Sequence, residues 1–318
     1  MDQNRMPLVE ALQQFREEAP AYFRIPGHRF ERGLDETLNG ASLAAYDLSE
    51  AEGLDDLHHA EGVIAEAQKL AAETWKAKKT FFLVNGTTCG NEAMVLSSVK
   101  EGEKIIVPRN VHKSVLMGLI LSGATPVYVM PEYSTKWQMW GGVTPETIEK
   151  AFAETPDAKA VLLVSPTYYG LCSDLQAIAE ICHCHNAALL VDEAHGSHLY
   201  FSEQLPLGAL ESGADACAQS IHKTAGSFTQ SSFLSLGSGR LDEARVAANL
   251  QMVQSTSPSY LLMASLDAAR RGMALHGKER MERALELGQR RGRSLQRSKE
   301  SKFLGPRWKE RAAYGRST

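Results

Sequence analysis

The sequence predicts an α/β fold in which helices cover both faces of a mostly parallel sheet, giving three layers. Two observations support this prediction. Short, nearly continuous apolar segments recur along the chain, and such segments are typical of strands that are buried on both faces. Amphipathic segments of helical length separate them, which is the order of elements expected when crossover helices connect parallel strands.

Six apolar segments are predicted to be strands. Each is a short run of large aliphatic, aromatic or alanine side chains that ends at a polar or glycine-containing turn. In chain order they cover residues 80–84, 104–107, 126–129, 160–164, 187–191 and 216–220. In sheets of this kind ligands bind at the carboxyl ends of the strands. The polar residues that follow each strand are therefore the candidates for a functional site.

Helices are predicted between these strands at residues 89–99, 112–121, 144–153 and 174–185. Two of them have recognisable start signals. Thr144 can cap a helix and is followed by Pro145, which is favoured at the first helical position. Asp174 is a second capping residue. A turn that contains Gly86 separates the first strand from the first helix.

The composition is that of a globular protein. The chain has 318 residues, of which 43% are hydrophobic and 23% are charged. The formal charge of -4 predicts no attraction to nucleic acid, and no apolar stretch is long enough to span a bilayer. The N-terminus has no apolar run like that of a signal peptide, and the five cysteines follow no disulfide framework. We therefore expect a cytoplasmic location.

Positive charge is concentrated at the end of the chain. Residues 290–318 contain ten lysines and arginines but two glutamates, and they lack the apolar periodicity of the preceding segments. An arm that binds nucleic acid is one interpretation of such a tail. We favour the other interpretation, a segment that does not join the fold.

A lysine and a carboxylate follow two strands that are predicted to be neighbours. Asp192 comes directly after the strand at 187–191, and Lys223 follows the strand at 216–220. Enzymes that use pyridoxal 5'-phosphate (PLP) need this pair. The lysine holds the cofactor as a Schiff base, and the carboxylate keeps the pyridine nitrogen protonated so that the ring can accept electrons. A buried Asp192 is costly unless it is paired, and a pyridinium N–H would be its partner.

Polar residues after the other strands can contact the same cofactor. Gly86, Thr87 and Thr88 lie between a strand and a helix, where backbone amides and hydroxyl groups can hold a phosphate, although such a triplet alone is more often an ordinary turn and cap. His112 can lay its imidazole against an aromatic ring. The remaining candidates for cofactor contacts are Thr167, the small Ala194, Ser220 and His222.

Three local motifs suggest other functions, and we reject each of them. Residues 192–195 spell a helicase Walker B box, and residues 272–278 match most of a P-loop, but Glu279 stands where the magnesium-binding Ser or Thr is required. We expect residues 272–278 to lie inside a helix. Residues 182–185 alternate cysteine and histidine, which point to different faces of a helix, and no second ligand pair has zinc-finger spacing. We expect no metal.

Taken in order, the motifs of this chain resemble those of the Orn/Lys/Arg decarboxylase family, bacterial PLP enzymes with the aspartate-aminotransferase fold, also called fold type I. The motifs are residues 22–28, 53–58, 82–88, 109–114, 166–170, 192–195, 220–223 and 254–260. The resemblance covers roughly residues 5 to 288, and the ordered set is far more specific than any one motif.

The resemblance implies a role for most of the candidate residues. Lys223 holds PLP covalently, Asp192 pairs with the pyridine nitrogen, and His112 stacks on the ring. The phosphate is held by Thr87, Thr88, Ser220 and His222. In the family a second subunit completes the site, so we expect a homodimer or a higher homo-oligomer, with Ser255 and Thr256 as the partner-subunit cofactor contact.

The resemblance also implies an activity and a domain organisation. The activity is α-decarboxylation of lysine, arginine or ornithine to a diamine or polyamine precursor. The alternatives are another PLP reaction on the same fold, such as transamination or β-elimination, and an inactive cofactor-binding fragment. We expect an N-terminal arm at 1–50, the PLP-binding major domain at 51–288 and an atypical basic tail at 289–318. In the family a small C-terminal domain follows, so the tail suits a truncated or frameshifted chain.

Overall fold

The computed structural model describes residues 1–18 and 46–297 of the protein. The strands are β1 (Lys79–Leu83), β2 (Lys104–Pro108), β3 (Thr125–Val129), β4 (Tyr133–Ser134), β5 (Met139–Trp140), β6 (Ala160–Val164), β7 (Ala188–Asp192), β8 (Ala216–Gln219) and β9 (Ser232–Leu236). The helices are α1 (Pro7–Glu18), α2 (Val63–Thr74), α3 (Gly86–Ser98), α4 (Lys113–Ser122), α5 (Pro145–Glu154), α6 (Leu175–Cys184), α7 (Ile221–Thr224), α8 (Glu243–Val253) and α9 (Tyr260–Arg297).

Seven of these strands form one sheet in the order β1-β9-β8-β7-β6-β2-β3. The five strands from β8 to β3 run parallel to one another, whereas β9 is antiparallel to both β8 and β1. As a result β1 runs in the same direction as the parallel strands. The short strands β4 and β5 form a separate hairpin.

Helices cover both faces of the sheet, so the predicted three-layer α/β fold is confirmed. On one face, apolar side chains of the central strands pack with α3, α4 and α8. On the other face, α5 and α6 cover the parallel strands, and α1, α2 and α9 cover the β1–β9 end. At that end Phe233 stacks on Phe82 and meets Trp75 edge to face, with ring centroids 5.1 and 5.3 Å apart.

The six predicted strands are confirmed with boundary differences of one residue. Strand β9 was not predicted. Its sequence is Ser-Phe-Leu-Ser-Leu, and the two serines interrupt the continuous apolar run that marks the parallel strands, yet all five residues are buried. The serines are tolerated because they find partners: Ser235 Oγ lies 2.9 Å from Thr80 Oγ1 on β1.

Helix α3 begins at Gly86 and not at Cys89 as predicted. Gly86 has a φ of +71°, a conformation that glycine adopts without strain, and it lets the chain turn directly from β1 into the helix. Thr87 and Thr88 therefore lie in the first helical turn instead of in a loop.

Helix α9 is continuous from Tyr260 to Arg297. Residues 272–278 lie inside it, which confirms that the P-loop-like sequence is helical. The helix also runs through residue 288, the predicted end of the major domain, and the domain division stays a prediction. Motif 22–28 and tail residues 298–318 lie outside the described residues. No helix within residues 1–18 and 46–297 is long and apolar enough to cross a membrane.

Candidate active site

The predicted site residues other than Ser255 and Thr256 converge at one edge of the sheet. They follow β1, β2, β6, β7 and β8, whose carboxyl ends lie at the same edge because these strands run in one direction. Strand β9 runs the opposite way and contributes its first residue, Ser232, to the same edge. The chain thus brings segments from six strands to one place.

Asp192 is the last residue of β7 and is 3% exposed. Its Oδ2 accepts a hydrogen bond of 2.8 Å from Asn91, and its Oδ1 accepts one of 3.2 Å from the backbone N of Ala194. Burial raises the pKa of Asp192, although these hydrogen bonds and the charges of His112 and Lys223 act in the opposite direction. Among the described residues no cation forms an ion pair with Asp192. Its carboxylate can therefore accept a hydrogen bond from a cationic N–H group of a ligand.

A chain of hydrogen bonds connects Asp192 to His112. Asn91 on α3 donates from the same amide nitrogen to Ser114 Oγ at 2.9 Å, and Ser114 Oγ lies 2.8 Å from His112 Nδ1. His112 is the N-cap of α4, where its Nδ1 also accepts from the backbone N of Ser114. These bonds orient the imidazole, which is exposed at the edge as a ring-stacking residue requires.

Hydroxyl groups cluster at the start of α3. Thr87 Oγ1 lies 2.5 Å from Ser220 Oγ and 3.2 Å from Ser232 Oγ, so three elements meet at one buried threonine. Asn85, the N-cap of α3, makes no capping bond with its side chain. The first turn of this helix therefore combines a positive dipole end with hydroxyl groups, which suits an anion such as phosphate. Thr88, also predicted to hold phosphate, is exposed in the same turn.

Lys223 lies in the short helix α7 and its side chain is exposed. Its Nζ lies 3.3 Å from His195 Nε2. Burial lowers the pKa of His195, and the charge of Lys223 lowers it further. The imidazole is therefore neutral at neutral pH and does not repel the charge of Lys223. His195 belongs to the Walker B-like residues 192–195 of the sequence, and in the structure it is a neighbour of Lys223.

Four further candidates follow β6, β7 and β8 at the same edge of the sheet: Thr167, Ala194, Ser220 and His222. His222 Nδ1 donates to the carbonyl of Ser231 at 2.9 Å, which orients its ring. Thr167 is buried, and its hydroxyl accepts from the backbone N of Leu171, so it also holds the turn after β6. Ala194 is buried beside Asp192, where a larger side chain would occupy the edge.

Glu193, next to Asp192, is a fully buried carboxylate that the sequence interpretation did not single out. Its Oε1 accepts from Ala209 N at 2.7 Å, and its Oε2 accepts from Tyr200 Oη and Gln219 Nε2, each at 2.8 Å. Burial raises the pKa of Glu193 to about 7 despite these bonds. This carboxylate ties the segment after β7 to the end of β8, and so supports both Asp192 and Ser220.

Ser255 and Thr256 lie between α8 and α9 and are exposed. The segment is anchored by a contact of 2.8 Å between His58 Nε2 and the carbonyl of Ser255. This contact joins two of the sequence motifs, 53–58 and 254–260. The predicted approach of Ser255 and Thr256 to the cofactor of a partner subunit stays a prediction.

A cavity of about 220 Å³ opens beside His195. Tyr168 stands over it with 82% of its surface exposed, and its ring meets that of His195 edge to face. The lining residues are Pro166, Thr167, Tyr168, Gly170, Cys172, His195, His198 and Leu199. His195 lines this cavity and also contacts Lys223, so the cavity is connected to the site through that histidine.

Sequence reasoning missed several residues of this site. Asn91 had a usable signal, because it is a polar residue one helical turn after Thr87 and so lies on the same face of the helix. Ser232 had no signal, since it depends on the unpredicted strand β9. Ser114 and Glu193 lie inside the motifs 109–114 and 192–195, but only the tertiary structure shows which groups they bind.

A family model described as "Orn/Lys/Arg decarboxylase, major domain" matches residues 6–313. The match extends past residue 288, which is the end of the resemblance that the sequence motifs indicate. The chain is 44% identical over 288 residues to an arginine decarboxylase of Halalkalibacterium halodurans, covering 90% of this chain and 59% of the relative. It is 43% identical over 290 residues to an arginine decarboxylase of Bacillus subtilis, with the same two coverages.

Solved structures give the same fold. Lysine decarboxylase A from Pseudomonas aeruginosa superposes with a TM-score of 0.82 at 26% identity, covering 94% of this chain and 44% of that one. Serine palmitoyltransferase from Sphingomonas wittichii superposes with a TM-score of 0.59 at 18% identity, covering 92% and 66%. The chain spans about three fifths of the length of the arginine decarboxylases that it matches.

Proposed function

Because this chain belongs to the Orn/Lys/Arg decarboxylase family, we propose that it is a PLP-dependent decarboxylase of a basic amino acid. The observation that carries the proposal is the carboxylate of Asp192. It is buried at the end of β7 and receives hydrogen bonds on both oxygens, while the exposed Lys223 follows the adjacent strand β8. A buried carboxylate that forms no ion pair within the described residues, next to an accessible lysine, is the arrangement that PLP requires.

The residues at this edge fit PLP. Asp192 would bind the ring nitrogen, and Lys223 would bind the aldehyde carbon. Thr87, Ser220 and the first turn of α3 would hold the phosphate, and His112 would lie against the ring. When bound, PLP supplies an electron sink for the electron pair that remains when the carboxylate of the substrate leaves as CO2.

The protein's own residues stabilise a proton and fix the orientation of the carboxylate that stabilises it. Asp192 stabilises a proton on the ring nitrogen. Asn91 and the backbone of Ala194 orient the carboxylate before any ligand binds, so little reorganisation is needed when charge develops. The contact between Lys223 Nζ and His195 Nε2 gives the amine a neighbouring proton acceptor when substrate replaces it.

We propose arginine as the first substrate to test, followed by lysine and ornithine. Support comes from the relatives, since those named arginine decarboxylases are 44% and 43% identical, whereas the lysine decarboxylase structure is 26% identical.

The test is to add PLP to the purified chain and to measure amine and CO2 release from arginine, lysine and ornithine. Release of agmatine with a matching amount of CO2 supports the proposal. A keto acid in place of CO2 would indicate transamination. Cofactor that is trapped on Lys223 by borohydride without any turnover would indicate an inactive cofactor-binding fragment.

We further propose that the chain acts as a homodimer in which Ser255 and Thr256 reach the cofactor of the partner subunit. Both residues are exposed and carry hydroxyl groups, and their segment is anchored at His58. Mixing a Lys223→Ala chain with a Thr256→Ala chain tests this. Mixed dimers recover one intact site if the contact crosses between subunits, and recover nothing if it does not.

A further inference from the structure

Gln254, the residue after α8, binds the backbone at the end of β1. Its Oε1 accepts a hydrogen bond of 2.9 Å from Val84 N, and the two residues are 8% and 3% exposed. The pairing of β1 with β9 ends at Leu83 and Ser232, so β9 offers no acceptor to this N–H. A buried N–H group without a partner is costly. Gln254 supplies the acceptor that the sheet cannot supply.

The Asn85–Gly86 turn, which follows Val84, is held by two further hydrogen bonds. Asn85 Nδ2 donates to the carbonyl of Val253 at 3.3 Å, and Gln230 Nε2 donates to Asn85 Oδ1 at 3.4 Å. The end of α8 and the residues before β9 therefore hold the Asn85–Gly86 turn between them.

Helix α8 also binds the other end of α3. Arg245 donates to the carbonyls of Leu96 and Val99 at 2.8 and 3.1 Å, and Asn249 donates to Ser97 Oγ at 2.8 Å. Helix α8 thus braces α3 at both ends, and Gln254 makes the bond nearest the turn that leads into its first residues. Substitution of Gln254 tests the positioning of the turn, and substitution of Asn249 tests the contact at the far end of α3 separately.

The position of Val84 determines where the phosphate donors lie. Gly86 and Thr87 come within three residues of it, and the left-handed turn at Gly86 leaves little slack between the end of β1 and the helix. A displacement of Val84 by a fraction of an ångström therefore displaces the first turn of α3, and hydrogen bonds weaken steeply with such changes in geometry.

We propose that Gln254 is a positioning residue for the phosphate of the cofactor, because its bond to Val84 sets the turn that begins α3. The inference rests on the proposed function, since it takes this turn to be the phosphate site. Gln254 does not itself touch the phosphate in this account. It acts through the backbone of β1, and its effect is therefore specific to ligands that carry a phosphate.

The test compares the dissociation constants of PLP and of pyridoxal, which lacks the phosphate, by equilibrium dialysis. In Gln254→Met, a side chain of similar length without the acceptor, we expect the dissociation constant of PLP to rise about tenfold, as for the loss of one well-placed hydrogen bond. That of pyridoxal should change by less than about twofold. The preference for PLP over pyridoxal then falls by most of one order of magnitude.

Asn249→Ala is the matched control, because it removes a buried amide of the same helix at the far end of α3. It should lower the melting temperature while keeping the preference for PLP. If Gln254→Met does not fold, Gln254→Asn, whose amide is too short to reach Val84, is measured in the same way.

The outcomes separate this inference from the function on which it rests. Wild-type chain that binds PLP no better than pyridoxal overturns the phosphate site itself. Wild-type chain that prefers PLP, together with a Gln254 variant of unchanged preference, overturns the role of Gln254 alone. Equal weakening of both ligands, or the same loss of preference in Asn249→Ala, assigns Gln254 to general stability and also overturns the role.

Discussion

Asn91 on α3 donates a hydrogen bond of 2.8 Å to Asp192 at the end of β7, and both side chains are almost completely buried. The helix that starts at the proposed phosphate turn is thereby joined to the carboxylate that faces the proposed ring nitrogen. Helix α3 therefore contributes to both ends of the proposed site, the phosphate turn and the carboxylate of Asp192.

Replacement of Asn91 should shift the pH dependence of decarboxylation. Its hydrogen bond lowers the pKa of Asp192, so in Asn91→Ala that pKa rises further and the carboxylate takes up a proton at a higher pH. We expect the acid limb of the kcat/KM profile to move to higher pH, with about a tenfold loss of rate on that limb. Asn249→Ala should leave the limb in place, and an unshifted limb in Asn91→Ala would contradict this role.

Replacement of Asp192 should affect turnover more than cofactor binding. Asp192→Ala keeps the lysine and the phosphate contacts but cannot stabilise a proton on the ring nitrogen. We expect the rate to fall by at least about 100-fold, with part of the cofactor still bound. Steady-state rates and bound PLP, measured on the same preparation, check this. A variant with an unchanged rate would remove the electronic role of Asp192.

Replacement of Lys223 should abolish covalent capture of the cofactor. After incubation with PLP and borohydride, the wild-type chain should yield a labelled peptide that contains residue 223. Lys223→Ala should yield none, and it should release no amine. Lys150→Ala, which removes an exposed lysine of α5, serves as the control. Label on the wild-type chain at another lysine would contradict the assignment.

Glu193 should make the stability of the protein depend on pH near neutrality. Its pKa is raised from an ordinary 4.5 to about 7 in the folded state, so the folded protein binds a proton that the unfolded chain releases. The contribution to the free energy of unfolding is therefore fully present below pH 4.5 and is lost as the pH rises through about 7. Its size is roughly 3 kcal/mol at most, from the size of the pKa shift.

Urea unfolding at pH 5.5 to 8 measures this effect. Glu193→Gln stays neutral and can still bond Tyr200 and Ala209, so its stability should vary less with pH than that of the wild type. Glu149→Gln, at an exposed position of α5, should keep the wild-type slope. Equal slopes in wild type and Glu193→Gln would show that Glu193 does not titrate in this range.

The parallel strands could be predicted because each is buried on both faces and so requires a continuous apolar sequence. Strand β9 was not predicted, because two serines interrupt its apolar sequence. It is buried, but its serines are satisfied by partners such as Thr80 that are distant in the sequence. A continuous apolar run in the local sequence predicts that a strand is buried. The local sequence does not show which distant residues will supply hydrogen-bond partners for buried polar side chains.

The same distinction applies to the site. Asp192, Lys223 and Thr87 could be identified because each directly follows or nearly follows a predicted strand. Asn91 and His195 could not be assigned, because their roles depend on which group they meet: Asp192 for the first and Lys223 for the second. The cytoplasmic location, the absence of a metal and the domain boundaries stay predictions.

The two faces of β9 have different partners, and this limits how the chain can change in length. Ser232 meets Thr87 on one face of this strand, while the next residue, Phe233, stacks on Phe82 on the other face. Deletion or insertion of one residue between α7 and β9, if it slips the register, would exchange these faces. An insertion would move Ser232 to the place of Phe233 among the aromatic rings, and a deletion would turn Phe233 towards the hydroxyl cluster. We therefore expect length variation in this connection to be tolerated poorly, whereas the β4–β5 hairpin, which lies outside the main sheet, is free to vary.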